Sequence, residues 1–323
     1  MMKYKFNFRL MRNISNTIFY ANILLTFLGC TSQSINETRN YIIDKKNGKI
    51  VLAYKAFEDF LDSDKSWDSY KSIFLTPYPS IQKAHQRQIE WGSLDTVTFP
   101  NKVTDYNKED FEEFISRFDV STIDFLYDST IEKGNKILPP KNAKETDLCF
   151  FLPYGGGCFV IPEDSLNTIY ISLYINPNEF KKIMVHEYAH ILHFDKCPKE
   201  PLTLAREVVY EGMAVYLTNL IIEDIEPEKS VPFMTEESFK WCMENEELIK
   251  DSIKLDLADT TMRLFKRYIS DGSWAEPPKG FVAKTAYFSG YRIIENCIAK
   301  GMSLEDICSL ESEKVIKESE YFK

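Results

Sequence analysis

Between residues 50 and 118 apolar side chains return every three or four positions, first as Val51, Leu52, Phe57, Phe60 and Leu61 and later as Phe111, Phe114, Ile115 and Phe118. That period predicts amphipathic packing helices. Aromatic residues at this spacing ordinarily fill a core, so no chemistry is assigned to this half. His85, set among Gln82, Lys83, Gln86 and Arg87, reads as part of a solvated helix face.

The pattern changes after Pro139-Pro140. Leu148 to Leu152, Cys158 to Ile161 and Thr168 to Ile175 read as short strands broken by Gly- and Pro-containing turns. In the last of them Ile169, Ile171, Leu173 and Ile175 alternate with Tyr170, Ser172 and Tyr174, the period of a half-buried strand. A helix should follow, with Asn176 as N-cap, Pro177 at its first position and Glu179 in its first turn, running to about Asp195 before Cys197-Pro198 stops it. A second helix is expected from Thr203 to Ile222, and from Thr235 onward the chain is again helical, with a turn at Gly272 to Gly280. The fold class is therefore α+β, mostly helical, with a small antiparallel sheet ahead of the helix at 177–195.

With 323 residues, 44% hydrophobic and 14% aromatic, the chain can bury a large core. Its N-terminus is different in kind: Lys3, Lys5, Arg9 and Arg12, then a largely apolar run from Ile14 to Leu28, then Gly29-Cys30. This is similar to a bacterial lipoprotein signal, in which cleavage precedes Cys30, its thiol is acylated, and a polar tether follows. The competing reading is an uncleaved membrane helix, for which the run is short and diluted by polar residues. The expected location is the cell envelope, with membrane contact only through the anchor. Removing the four cations from the formal charge of −10 leaves −14 for the remainder, a surface that disfavours nucleic acid as a partner. Export places the other six cysteines in an oxidising compartment, where Cys149 and Cys158, on either side of a Gly-rich turn, could form a cross-strand disulfide or remain buried thiols.

Candidate chemistry concentrates in His186-Glu187-Tyr188-Ala189-His190, an HExxH sequence. Residues four apart on a helix differ by about 40°, so both imidazoles can reach one metal ion, while Glu187 projects to the side. Met184, Val185, Tyr188, Ile191 and Leu192 gather on the opposite face, which should bury the helix on its back. A catalytic zinc needs a third protein ligand and an open position. Glu211, 21 residues after His190, and Glu207, one turn earlier, lie on the next helix in Glu207-Val208-Val209-Tyr210-Glu211-Gly212-Met213-Ala214. Gly212 would allow close approach to a neighbouring helix. The plain alternative is a surface glutamate pair with Arg206. His193 sits too far along the axis to share the ion, and the longer metzincin pattern is excluded because His193 and Lys196 stand where it needs glycine and histidine.

HEYAH followed by EGMA resembles the gluzincin arrangement, and more closely a bacterial family of zinc-dependent proteases catalogued as domain of unknown function 2268. The resemblance spans roughly Leu148 to Phe322 and includes Tyr287-Phe288-Ser289-Gly290-Tyr291-Arg292. It implies a zincin-like fold, one zinc ion per chain held by His186, His190 and Glu211, and Glu187 as general base to zinc-bound water. Tyr287 or Tyr291, with Arg292 behind them, are candidates to stabilise an oxyanion, or else simply aromatics packing a C-terminal helix. A peptide or protein substrate could add to the strand at 168–175 by edge pairing. The expected organisation is a signal at 1–29, a tether at 30–47, a helical subdomain at 48–140 and a metallohydrolase domain at 141–323. Rival readings are a zinc hydrolase of non-peptide amides and a catalytically silent surface lipoprotein acting as a binding module.

Overall fold

A β-hairpin opens the described part of the chain. Strands β1 (Ile42–Lys45) and β2 (Gly48–Leu52) pair antiparallel about a two-residue turn, with Lys45 opposite Gly48. Gly48 has φ +145°, and a Cβ there would come 2.3 Å from the Thr146 carbonyl oxygen, so glycine is needed where the hairpin meets the next strand. The computed structural model describes residues 41–151, 157–172, 175–223, 225–232 and 234–323. The expected signal at 1–29, Cys30, most of the tether and the Gly-rich turn at 152–156 lie outside the described residues.

Helices α1 (Ala53–Leu61), α2 (Pro79–Glu90) and α3 (Val120–Ile137) follow the hairpin. Strands β3 (Glu145–Phe151), β4 (Phe159–Pro162) and β5 (Leu166–Ser172) then complete the sheet. The C-terminal half supplies α4 (Phe180–Phe194), α5 (Leu204–Ile221), α6 (Glu236–Glu244), α7 (Glu246–Asp256), α8 (Thr285–Ala299), α9 (Leu304–Ser309) and α10 (Ser312–Ser319). The α+β class holds.

The sheet differs from expectation in three ways. It has five strands in the order β1-β2-β3-β5-β4 and is mixed: β2 with β3 and β3 with β5 run parallel, while the outer pairs are antiparallel. Val51 and Leu52, expected in a helix, lie in β2 opposite Cys149 and Phe150, which ties the first described residues to the sheet. Finally, β5 is flanked by β3 and β4, so over Thr168–Tyr170 the strand is paired on both sides and offers no open edge to a peptide. The signal for β4 as its cover is four residues long, and short strands carry little periodicity.

The same order disposes of the Cys149–Cys158 bridge. Tyr170 of β5 pairs with Cys149 on one side and with Phe159 on the other, so a whole strand separates the two cysteines. Two strand spacings are about 9.5 Å, beyond the roughly 7 Å that a disulfide spans between Cα atoms. Cys149, Cys158, Cys197, Cys242, Cys297 and Cys308 are all free.

The aromatic stripe of α1 packs as predicted, with the Phe57 ring 5.2–5.4 Å from those of Phe60, Phe74 and Phe111. His85, however, does not face solvent. It is 5% exposed, with Nε2 2.8 Å from the Tyr70 hydroxyl and Nδ1 3.2 Å from Gln88 Oε1. Its polar sequence neighbours masked a helix face that closes over Tyr70 and Phe99. Among the described residues no helix is long and apolar enough to cross a membrane.

Candidate functional site

Helix α4 begins as the sequence directs. The Asn176 side chain accepts the Asn178 N–H and caps a 3-10 turn, Pro177–Glu179, from which the α-helix continues. It is not a half-buried helix, because Ile183 through His193 are all buried. One side lies against β4 and β5 and another against α3, where Gly134 faces the Tyr188 ring and the Tyr188 hydroxyl donates to Asn135 Oδ1 at 2.6 Å. Helix α5 begins with Thr203, whose hydroxyl accepts the Arg206 N–H. It runs beside α4 and crosses α8 on its other face.

This packing brings three groups to one point. Ligand atoms of His186, His190 and Glu211 lie within 4.8 Å of one another, all buried. Both Nε2 atoms address a single carboxylate oxygen, Glu211 Oε2, at 3.1 Å from His186 and 3.4 Å from His190. The rings are perpendicular, with centroids 4.7 Å apart. Tyr210 stacks on His190 at 4.6 Å, and Tyr287 of α8 stacks on His186 at 5.8 Å. The Nδ1 atoms of His186, His190 and His193 are buried without a hydrogen-bond partner among the described residues.

Charge in the cluster follows from burial and proximity. Burial alone would raise the Glu211 carboxyl, but the imidazoles of His190 and His186 hold it below the usual carboxylate range, so it is ionised. Burial lowers His186 to about 4. Burial also opposes protonation of His190, yet the Glu211 charge beside it outweighs that and raises it. Glu187, at the side of the cluster, is pushed up to about 7 by burial, with His190 and Lys284 acting in the opposite sense and Glu211 adding to the rise. Two histidine nitrogens and a carboxylate oxygen are a donor set suited to a divalent transition-metal ion.

The other expected residues are placed differently. Glu207 does not join the cluster; it is buried and paired with Arg206 at 2.5 Å, which makes the Arg206 pair an interior feature, not a surface one. His193 packs its ring on Tyr210 at 5.2 Å. Tyr291, one turn beyond Tyr287, turns toward Tyr216 and donates to Glu295 Oε1 at 3.3 Å. Arg292 pairs with Glu246 and Glu295. Cys30 lies outside the described residues.

Sequence reasoning missed Lys284. It is buried, adopts φ +62°, and carries Nζ 4.6 Å above the Tyr287 ring and 3.4 Å from Asp271. A lysine preceding a helix has no distinguishing pattern, so nothing in the sequence signals it. Tyr210 carries no expected role in the sequence, yet it stacks on His190. Its position immediately before Glu211 was the available signal.

A family model for gliding motility protein GldB matches residues 161–323, just over half of the chain. The chain belongs to the GldB family of gliding motility lipoproteins. No curated protein matches it. This corrects the resemblance drawn from HEYAH and EGMA, because the GldB match covers α4, α5 and α8 and is to gliding motility lipoproteins, not to gluzincin proteases. The expectation of a metallopeptidase falls with it, as do the descriptions of the chain as a hydrolase or zinc protease. Three matched letters in HExxH are too few to carry an activity when helix packing alone can bury histidines at that spacing. A GldB-family chain is a lipoprotein by its family's designation, which agrees with the envelope location expected from the N-terminus.

Proposed function

We propose that this chain is a non-catalytic, lipid-anchored module of the cell-envelope machinery for gliding motility, attached through Cys30 and acting by binding other proteins of a membrane-associated complex. The GldB family match over residues 161–323 is the observation that carries this reading. The N-terminal run of cations, apolar residues and Gly29-Cys30 supports the anchor. An acidic remainder of the chain suits a domain held in solution beside anionic headgroups and not pressed onto them.

The test is genetic. Deletion of the gene in the bacterium that makes the protein should abolish surface movement, and the wild-type gene should restore it. The Glu187→Gln chain should restore it equally, since no proton transfer is asked of that residue. Unimpaired movement in the deletion strain would defeat the motility assignment, and a folded Glu187→Gln protein that fails to complement would defeat the non-catalytic one. Metabolic labelling with a fatty-acid analogue should mark the wild-type chain and leave Cys30→Ser unmarked.

A further inference from the structure

We infer that a cavity on the far side of α4 binds a neutral saccharide unit, held by the carboxamides of Asn167 and Asn135. The inference is independent of the motility assignment. It is also separate from His186, His190 and Glu211, which do not line this cavity.

The cavity, about 520 Å³, lies where the sheet ends, between the first residues of β3 and β5, the C-terminal half of α4 and the last turns of α3. Volumes of about 300–1,000 Å³ are usual for small-molecule sites. Strand register explains its polarity. On the sheet face that carries Phe150, whose ring meets that of Phe180 in α4 at 5.1 Å, cross-strand partners form rows: Phe150 with Ile171, then Leu148 with Ile169 and Val160, then Thr146 with Asn167 and Pro162. The first two rows are apolar. The third puts a buried threonine beside a buried asparagine on the wall of the cavity.

These polar groups are unmatched. Asn167 is 6% exposed and Thr146 3%, yet neither the carboxamide nor the hydroxyl has a hydrogen-bond partner among the described residues. A buried amide left in that state is costly unless something enters to bond it. On α3 the Asn135 Oδ1 accepts the Tyr188 hydroxyl at 2.6 Å, so the Asn135 amide N–H groups are left to donate. Asn142, at the rim, donates to Asp195 Oδ1 at 3.1 Å and keeps its own Oδ1 as an acceptor.

Charges around the cavity, by contrast, are already matched. Glu163 pairs with Lys83 at 2.7 Å and Arg206 with Glu207 at 2.5 Å, while Lys144 donates to the Glu163 carbonyl at 2.9 Å. Asp195 accepts the N–H groups of Lys141 and Asn142, and Glu200 those of Ser312. Asp164 and Lys199 are exposed and opposite in sign. A charged ligand therefore finds no buried counter-charge waiting for it. Hydroxyl groups, each donor and acceptor at once, complement carboxamides that offer both. Pro140, Pro162, Pro198 and Ile191 supply apolar wall for the C–H face of a sugar ring. An extended peptide fits less well, because the free amides come from β5, α3 and the segment at 142 and not from one sheet edge, and β5 is paired on both sides at Asn167.

The full chain, purified in a detergent without a sugar headgroup, should bind at least one member of a panel of glucose, galactose, mannose, N-acetylglucosamine and their β-1,4-linked disaccharides, measured by calorimetry and ligand-observed NMR. Tighter binding of a disaccharide than of its single sugar would mark a polysaccharide as the source, and equal binding a free sugar. Asn167→Leu, close in size but apolar, should abolish binding and leave the melting temperature unchanged or raised, because it removes an unpartnered buried amide. Asn142→Ala, on the exposed rim, should weaken binding about 2–10-fold, the effect of one hydrogen bond. Binding that survives Asn167→Leu intact would overturn the site. Should that variant fail to fold, Asn142→Ala decides, and an unchanged affinity there would overturn it. Silence across the whole panel would overturn the saccharide class, as would binding of a capped trialanine peptide in its place.

Discussion

Gly212 of α5 and Gly290 of α8 meet backbone to backbone. A Cβ on Gly212 would lie 2.1 Å from the Gly290 carbonyl carbon, and one on Gly290 would lie 2.0 Å from the Val208 carbonyl oxygen. Neither neighbour is a flexible side chain, so the helices must separate to admit even a methyl group. The close approach expected of Gly212 is thus realised against α8, the helix that carries Tyr287, and not against α4.

Gly290→Ala should therefore destabilise the protein despite the better helix propensity of alanine, worth about 1 kcal/mol. Overpacking at a rigid contact costs about 1–3 kcal/mol or more, and the net loss should appear as a lower denaturant midpoint in chemical unfolding. An unchanged or raised midpoint would mean that the two helices can slide apart freely. Gly212→Ala should behave alike, and the double variant should not be additive because one separation relieves both clashes.

Glu200, in the segment between α4 and α5, caps a helix more than a hundred residues away. Its Oε1 accepts the Ser312 N–H at 2.7 Å and its Oε2 accepts the Ser312 hydroxyl at 2.5 Å. A carboxylate on the first turn of α10 satisfies a donor that the helix cannot satisfy itself and complements its dipole. Glu200→Ala should lower stability by about 1–2 kcal/mol, with the loss concentrated as faster amide exchange in α10. Uniform exchange across the chain would contradict that local role.

Six thiols should titrate in the unfolded, unreduced chain once Cys30 is acylated, because all six described cysteines are free. Four or fewer would reveal a bridge. The Cys149–Cys158 pair is the one that strand order forbids, since β5 lies between them.

How much of this could be read beforehand differs from element to element. The starts of α4 and α5 were legible because Asn176 and Thr203 cap through their own side chains, a signal confined to a few adjacent residues. The convergence of His186, His190 and Glu211 was legible for a similar reason: helical spacing sets two of them, and the next helix supplies the third. The sheet was not. Pairing of Ile50 with Leu148 joins residues separated by most of the N-terminal half, and no local pattern encodes it. Function was the least legible, because HExxH describes only a helix face and many surroundings can bury such a face. The exposure of His85 was misjudged on the same ground, since neighbours in sequence say little about what folds over them.

His85 supplies a pH dependence whose sign can be worked out. Burial lowers its pKa from 6.5 to about 4, with Gln88 opposing the shift by accepting a hydrogen bond. Gln88 Oε1 can only accept, so Nδ1 carries the proton in the neutral ring and Nε2 accepts from the Tyr70 hydroxyl. In the unfolded chain the ring takes up its second proton near pH 6.5, whereas the folded protein resists protonation until about pH 4. Between those values the unfolded state binds the extra proton and the folded state does not. The stability associated with neutral His85 is therefore present above pH 6.5 and is lost as pH falls toward 4, by up to about 1.4 kcal/mol per pH unit. His186 and His193, also lowered by burial, act in the same direction. Comparison with His85→Asn, which keeps a donor toward Gln88 but does not titrate, isolates the contribution of this ring. Unfolding free energies measured from pH 7 to pH 4 should fall less steeply in His85→Asn by up to one proton's worth of slope. Parallel curves would show that His85 is protonated as readily in the folded protein as in the unfolded chain.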